Sequence, residues 1–194
     1  ALMWTWYLLS QNPDAAEKLH AELDSVLAGR VPTVEDLPRL PYTEKVFTEA
    51  MRLFPPAYAT SRYNVTDQQV GGYTIPAGSR IILSQYVTHR DPRWFAEPEK
   101  FDPDRWTPEF KASLPKFAYW PFGGGPRLCI GEPFAWMEGQ LLVATIAQRC
   151  EFRLLPGHPV ATRPQVTLRA RYGMNMIMSR RKVGAEKIPA GAAS

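Results

Sequence analysis

The chain has 194 residues, 45% hydrophobic and 22% charged, which is enough for one globular domain with a buried core. Its formal net charge of +4 is thinly spread, and no Lys/Arg run is dense enough for a nucleic-acid surface, so that class of partner is excluded. Two cysteines, Cys129 and Cys150, make no disulfide framework and imply a reducing, cytoplasmic setting, while 19 prolines predict many turns.

The first nine residues, Ala1 to Leu9, are apolar from the start. They are too short to span a bilayer and lack the charged start of a signal peptide. They read as a buried helix already under way, so the chain is expected to be the C-terminal part of a longer protein, with any membrane anchor upstream. Asn12 and Pro13 suit the N-cap and first position of a second helix, along which Ala15, Leu19, Leu23 and Leu27 recur every fourth residue up to Gly29. Thr33 and Asp36 resemble a capping box.

Periodicity predicts a third helix over residues 41–54, with Val46, Phe47, Ala50, Leu53 and Phe54 on one apolar arc. Glu49 and Arg52 lie three apart beside that arc. Spacing alone leaves two readings open: a surface ion pair of little worth, or a half-buried pair that requires a third partner. Pro55-Pro56 stops the helix. Residues 58–65 read as extended, with Arg62 on them. Residues 70–75 and 80–83 read as short strands joined by a Pro76-Ala77-Gly78 turn.

From Thr88 to Pro121 the pattern is lost, yet the segment holds eight aromatic rings, among them Trp94, Phe101, Trp106 and Trp120. An irregular segment this long inside a domain is functional or disordered, and the ring density argues against disorder. A helix over residues 132–149 follows, apolar around most of its circumference apart from Glu138, Thr145, Gln148 and Arg149, and is expected to be buried. Residues 151–155, 166–169 and 173–178 read as strands. Residues 1–180 are assigned to one domain, and residues 181–194 to a polar tail with the composition of a disordered segment.

Between the irregular segment and that helix lies Phe122-Gly-Gly-Gly-Pro-Arg-Leu-Cys129-Ile-Gly131. Three glycines beside a cysteine suggest backbone that must approach something closely. The following helix directs donor N–H groups and its positive end toward the sulfur, which favours a thiolate. Phosphate-binding glycine patterns are not met, since Leu128 stands where the last glycine belongs. Zinc is excluded by ligand spacing, because only Cys150 and the scattered His20, His89 and His158 are available. A cysteine nucleophile would need a distant histidine to which nothing points. A buried cysteine in a glycine turn would not account for the glycines, Arg127 and the helix end together.

The pattern Phe122-x-x-Gly125-x-Arg127-x-Cys129-x-Gly131 resembles the haem-binding signature of the cytochrome P450 family at every fixed position. Glu49-x-x-Arg52 resembles that family's helix motif, and Phe101-Asp-Pro-Asp-Arg105-Trp106 its proline-rich meander. The resemblance covers residues 1–180 or so and implies a mainly α fold with small β-sheets (α+β), the C-terminal portion of the P450 fold. It implies that Cys129 is the axial ligand of the iron of haem b. Arg62 and Arg127 would bind the propionates, Phe122 would pack beside the thiolate, and Gly131 and Ala135 would let the next helix pass the ring. Glu49, Arg52 and Arg105 would form a buried triad.

The implied activity is monooxygenation of a small apolar organic substrate with O2. Electrons would come from a ferredoxin- or flavodoxin/reductase-type donor docking near Lys111, Lys116 and Arg127. Residues 57–60 and 171–174 would line the substrate. The family's acid–threonine pair for proton delivery would lie before Ala1. The fragment alone is therefore expected to fold poorly and to bind haem weakly or not at all. Two other readings remain: a peroxide-using or rearranging haem-thiolate enzyme, and a non-catalytic haem-binding fragment.

Overall fold

Helix α1 (Leu2–Gln11) opens the chain, and its apolar composition is used on two sides. Trp4, Thr5, Leu8 and Leu9 are buried, and Trp6 meets Phe152 with ring centroids 5.0 Å apart. The computed structural model describes residues 1–181. Apart from Arg181, the polar tail expected over residues 181–194 lies outside the described residues.

Helix α2 (Pro13–Leu27) has Pro13 in its first turn, as expected, and buries Ala15, Leu19, Leu23 and Leu27. Asn12 stands at the N-cap position as expected, but its side chain makes no capping bond: the Asn12 amide donates back to the Leu8 carbonyl at 2.8 Å. The capping box forms at the 3-10 turn Val34–Arg39, where the Asp36 carboxylate accepts from the Thr33 N–H. The Arg30 guanidinium, followed by that N–H, holds the Asp36 carboxyl well below the usual carboxylate range.

Helix α3 (Pro41–Leu53) starts without a side-chain cap of its own. Glu22 of α2 supplies one, accepting from Tyr42 N–H at 2.6 Å and Thr43 N–H at 2.8 Å. A carboxylate at this end satisfies orphan donors and opposes the positive end of the dipole. The core lies where α1, α2, α3 and the later α6 (Glu132–Ala147) converge on Leu19, Leu23, Val46, Ala50, Val143 and Ala144.

Among the described residues the strands form four separate antiparallel pairs, which makes the fold mainly α with small sheets (α+β), as the sequence implied. Strands β1 (Thr60–Tyr63) and β4 (Arg80–Leu83) pair, with Arg62 opposite Ile81. Between them β2 (Gln68–Val70) and β3 (Tyr73–Ile75) form a tight hairpin. This corrects the reading of residues 70–75 as one strand. Gly71 and Gly72, at φ 56° and 84°, are the two turn residues, which is the backbone a two-residue hairpin requires. The turn at Pro76–Gly78 does not join partners, because β4 returns to β1.

A short helix, α4 (Gln85–Thr88), leads into the irregular segment, and a second, α5 (Pro108–Ser113), interrupts it. After α6, β5 (Cys150–Leu154) pairs with β8 (Met176–Arg180), and β6 (Thr162–Pro164) pairs with β7 (Leu168–Ala170). Strand β6 had no sequence signal, because its three residues end on a proline. Near the two segments expected beside substrate, residues 57–60 and 171–174, the Leu168 N–H donates to the Pro56 carbonyl at 2.9 Å. The Trp4 indole holds the Leu168 carbonyl at 3.2 Å while its ring stacks on Phe54 at 4.1 Å.

Helix α6 departs from the expected all-round burial. Gly139, Gln140, Val143, Ala144 and Ala147 are covered, whereas Phe134 is 61% exposed. Gln148, expected on the polar strip, is buried and donates to the Arg30 carbonyl at 3.2 Å. Gly139 packs directly on α3: a Cβ there would overlap the ring of Phe47. That ring is buried and held edge-on by Trp136 at 5.5 Å, so it has little room to yield. Gly139→Ala is therefore expected to lower unfolding stability by about 1–2 kcal/mol, overpacking outweighing the better helix propensity of alanine. Denaturant unfolding of the intact protein checks it, and Phe47→Leu in the Gly139→Ala background should recover part of the loss.

Candidate functional site

The sequence placed Glu49 and Arg52 beside an apolar arc, and the structure carries both fully inside, with 0% side-chain exposure. A buried ion pair is tolerable only when every remaining donor and lone pair is used. The Arg52 guanidinium binds Glu49 in a fork, Nε to Oε2 and Nη2 to Oε1, both at 2.8 Å. The third partner is Arg105, from a 3-10 turn at Pro103–Arg105, whose Nε reaches Glu49 Oε1 at 3.0 Å. Of the two readings left open, the buried one holds.

Two further donors complete the carboxylate. Asp102 N–H donates to Oε1 at 3.0 Å, and the Trp106 indole N–H to Oε2 at 2.8 Å. Trp106 was not assigned to this group from the sequence. The available signal was its indole, since a buried tryptophan N–H needs an acceptor and the neighbouring Arg105 already pointed to one. The surplus guanidinium donors go to backbone carbonyls. Arg52 binds those of His89 (2.8 Å), Pro98 (2.6 Å) and Lys100 (3.0 Å), and Arg105 binds that of Ala96 (2.8 Å). Phe95 lies under the Arg52 guanidinium, 5.1 Å from its ring centre.

The irregular segment leads from this network to the cysteine loop. The Tyr119 hydroxyl donates to the Thr48 carbonyl of α3 at 3.1 Å. Phe122 packs on Trp136 with centroids 5.5 Å apart, and its carbonyl accepts the Cys129 N–H at 3.0 Å, closing the loop on itself. The Leu128 N–H to Gly125 carbonyl bond (3.0 Å) tightens it from inside.

The three glycines serve two purposes. Gly123 and Gly125 have φ of 81° and 66°, the left-handed region that side chains rarely adopt. Gly124 is extended, and a Cβ on it would run into the Phe117 ring. Phe117 itself sits at φ 68°, a left-handed conformation uncommon for an aromatic residue.

Cys129 is a free, exposed cysteine at the far end of the loop. Leu128, Ile130 and Phe134 beside it are exposed as well. A Cβ on Gly131 would meet only Cys129 Sγ, at an ordinary 3.8 Å. Ala135 lies in the first turn of α6, its N–H bonded to the Gly131 carbonyl at 2.9 Å. Arg127 makes no hydrogen bond or ion pair among the described residues. Arg62 donates to Thr60 Oγ1 (3.0 Å) and the Ser61 carbonyl (2.9 Å), and no bond links it to the cysteine loop.

On its other side the loop borders a surface cleft of about 670 Å³ walled by Glu44, Lys111, Lys116, Gly123–Gly125, Leu128 and Trp136. Lys111 is paired with Glu44 at 2.7 Å, while Lys116 has no acid partner among the described residues and lies over Phe117. Among the described residues no group of three or more His, Cys, Asp or Glu is placed to hold a bare metal ion, and no helix is long and apolar enough to cross a membrane.

A glycine-lined loop presenting one exposed thiol, braced by a buried carboxylate–diguanidinium network on a mainly α scaffold, defines the haem-thiolate class of protein architecture. The family model described as "Cytochrome P450" matches residues 1–174, and this chain belongs to that family. It is 48% identical over 170 residues to "Cyclooctatin synthase" of Streptomyces melanosporofaciens, covering 88% of this chain and 37% of that protein. It is 42% identical over 156 residues to "Cyclooctat-9-en-7-ol 5-monooxygenase" of the same organism, covering 80% of this chain and 34% of that protein. "Cytochrome P450 4V2" of Homo sapiens is 42% identical over 148 residues, 75% of this chain and 28% of that protein. The chain thus spans little more than a third of the length of the bacterial relatives it matches.

The network makes an ordered prediction. Glu49→Gln leaves two buried guanidinium groups without a counter-charge and should lower stability by about 3–5 kcal/mol. Trp106→Phe removes one bond to a charged acceptor that keeps four others, and should lower it by about 1.5–3 kcal/mol. Chemical denaturation of both variants checks the order, and a Trp106→Phe loss as large as that of Glu49→Gln would contradict it.

Proposed function

We propose that the cysteine loop is the haem-thiolate site of a monooxygenase, with Cys129 Sγ the axial ligand of the iron of haem b. The observation that carries this reading is the exposed free thiol at the end of a loop closed by the Cys129 N–H to Phe122 carbonyl bond. The surroundings fit such a group. Arg127 and Arg62 lack acid partners among the described residues and suit anionic propionates. Leu128, Ile130 and Phe134 offer exposed apolar surface to a flat macrocycle.

When bound, haem supplies O2 activation, and thiolate ligation favours O–O cleavage. One oxygen atom would go into a small apolar organic substrate and the other would leave as water, with two electrons from a ferredoxin- or flavodoxin/reductase-type donor and two protons from solvent. Monooxygenation is also the reaction in the name of the 42%-identical Streptomyces relative.

The chain's own residues hold and shield the site. Glu49, Arg52 and Arg105 fix the segment that leads into the loop, and the ring of Trp136 backs Phe122. Lys116, without an acid partner among the described residues, presents positive charge to the donor. Residues 57–60 and 171–174 line the substrate space, and the backbone bond between Leu168 and the Pro56 carbonyl holds the neighbouring chain together.

In the intact haem-loaded protein, Cys129→Ala should abolish the red-shifted ferrous–carbon monoxide Soret band. A red-shifted band that survives the substitution refutes the ligand assignment. Arg127→Leu should keep the band but speed haem loss by about tenfold to a hundredfold, the value of one charge-assisted hydrogen bond.

A further inference from the structure

His89 is the only histidine buried among the described residues, with 0% exposure, and nothing in the proposed chemistry uses it. It lies just past α4 and touches both halves of the scaffold. Its backbone carbonyl accepts from Arg52 Nη1 at 2.8 Å. Its ring Nε2 accepts the backbone N–H of Trp120 at 2.9 Å. Trp120 is two residues before Phe122, whose carbonyl holds the Cys129 amide, and its own carbonyl accepts the Gly123 N–H at 3.0 Å. One residue therefore connects the buried charge network, through its carbonyl, to the entry of the cysteine loop, through its ring.

The bond to Trp120 fixes the tautomer. An accepting Nε2 carries no proton, so the neutral ring holds its proton on Nδ1, which has no partner among the described residues. A proton added to Nε2 would face the Trp120 N–H, donor against donor, and the bond would be lost.

We propose that His89 is a positioning residue for Cys129: its neutral ring pins the Trp120 amide and so fixes the entry of the cysteine loop, and protonation of the ring releases it. The proposal rests on the haem-thiolate reading for the role of Cys129.

Every charge near the ring opposes protonation or is already committed. Arg52 of α3 lies against it and Arg90 follows it in the chain, while the nearest carboxylate of the network, Glu49, is filled by five donors. On the remaining side lies the Tyr119 ring, 4.9 Å away, with its hydroxyl spent on Thr48. Burial first, and then the Arg52 charge, push the His89 pKa down to about 3 from an ordinary 6.5. The sign follows. With the folded value below the unfolded one, the neutral ring's contribution is complete above pH 6.5 and is lost progressively as pH falls toward about 3.

The test compares the haem-loaded wild type with His89→Gln, whose amide oxygen can take the Nε2 position, and with His89→Leu, which has no acceptor. Hydrogen exchange at the Trp120 amide should be about tenfold faster in His89→Leu, as for one lost hydrogen bond, and close to wild type in His89→Gln. The thiolate-ligated fraction, read from the ferrous–carbon monoxide band, should be reduced in His89→Leu and recovered in His89→Gln. As pH falls below 6.5, the wild type should lose that fraction more steeply than His89→Gln, by up to about tenfold per pH unit in the ligated-to-unligated ratio. Carboxylate titrations are common to both proteins and cancel.

Wild-type exchange and ligation in His89→Leu, or coincident acid profiles of wild type and His89→Gln, would overturn the proposal. The second comparison decides alone if His89→Leu does not fold. A wild type that never shows the thiolate band overturns the haem-thiolate reading and this role with it. A wild type that shows it beside an unaffected His89→Leu overturns only the role of His89.

Discussion

Everything around the cysteine loop depends on one carboxylate. Glu49 is fully buried on a helix that also buries Val46, Phe47, Ala50, Met51 and Leu53, where an unpaired charge would be untenable. A carboxylate offers about four lone-pair directions, and here five donors from Arg52, Asp102, Arg105 and Trp106 occupy them. Two guanidinium groups against one carboxylate leave an excess of positive charge and several unused N–H donors. Carbonyls of His89, Ala96, Pro98 and Lys100 take these up. A segment without helix or sheet must still place its backbone acceptors somewhere. Those of His89, Ala96, Pro98 and Lys100 point inward at arginine. The irregularity of this stretch and the buried ion network are therefore one structural solution.

The network reaches the cysteine through more than one route, and that redundancy makes the loop rigid. Helix α3 contributes Glu49 and Arg52 to the charge cluster, the Thr48 carbonyl to Tyr119, and Phe47 to the ring pair with Trp136. Trp136 in turn backs Phe122, whose carbonyl holds Cys129. The chain is thus anchored before the loop, beneath it and after it by residues from a single helix. Within the loop the glycines solve different problems: two meet a backbone requirement and one a steric one imposed by Phe117. That distinction explains why the sequence needs three in a row.

What was legible in the sequence follows from the range of the forces involved. The helices were readable because Leu19, Leu23 and Leu27, or Val46, Ala50 and Leu53, repeat locally, and Pro13 and Pro41 mark their starts. The cysteine signature and its companion motifs gave the family, which the match over residues 1–174 bears out. The short strands were read poorly because two-stranded ladders bury no continuous face, and their partners are set by contacts as distant as Trp4 with Leu168. The Gly71-Gly72 hairpin was a local signal that the flanking Val70 and Ile75 disguised as one strand. Trp106 and His89 escaped because their roles depend on single polar atoms buried by tertiary packing. Spacing carries no trace of those.

The exposure of α6 completes the picture of a site with two unlike sides. A helix that is apolar around most of its circumference reads as buried on every face. Here one face is sealed against α3 so closely that Gly139 has no room for a methyl group, while Phe134 stands open beside Cys129, Leu128 and Ile130. Apolar surface held open by a rigid frame contributes roughly 25 cal/mol per Å² to whatever covers it. Any group that binds the folded chain alone also stabilises the fold, in proportion to its occupancy. The rigidity invested behind the loop and the surface left open before it are thermodynamically linked. A frame that keeps a thiol and apolar side chains pointed at solvent gains its full stability only when the ligand is in place.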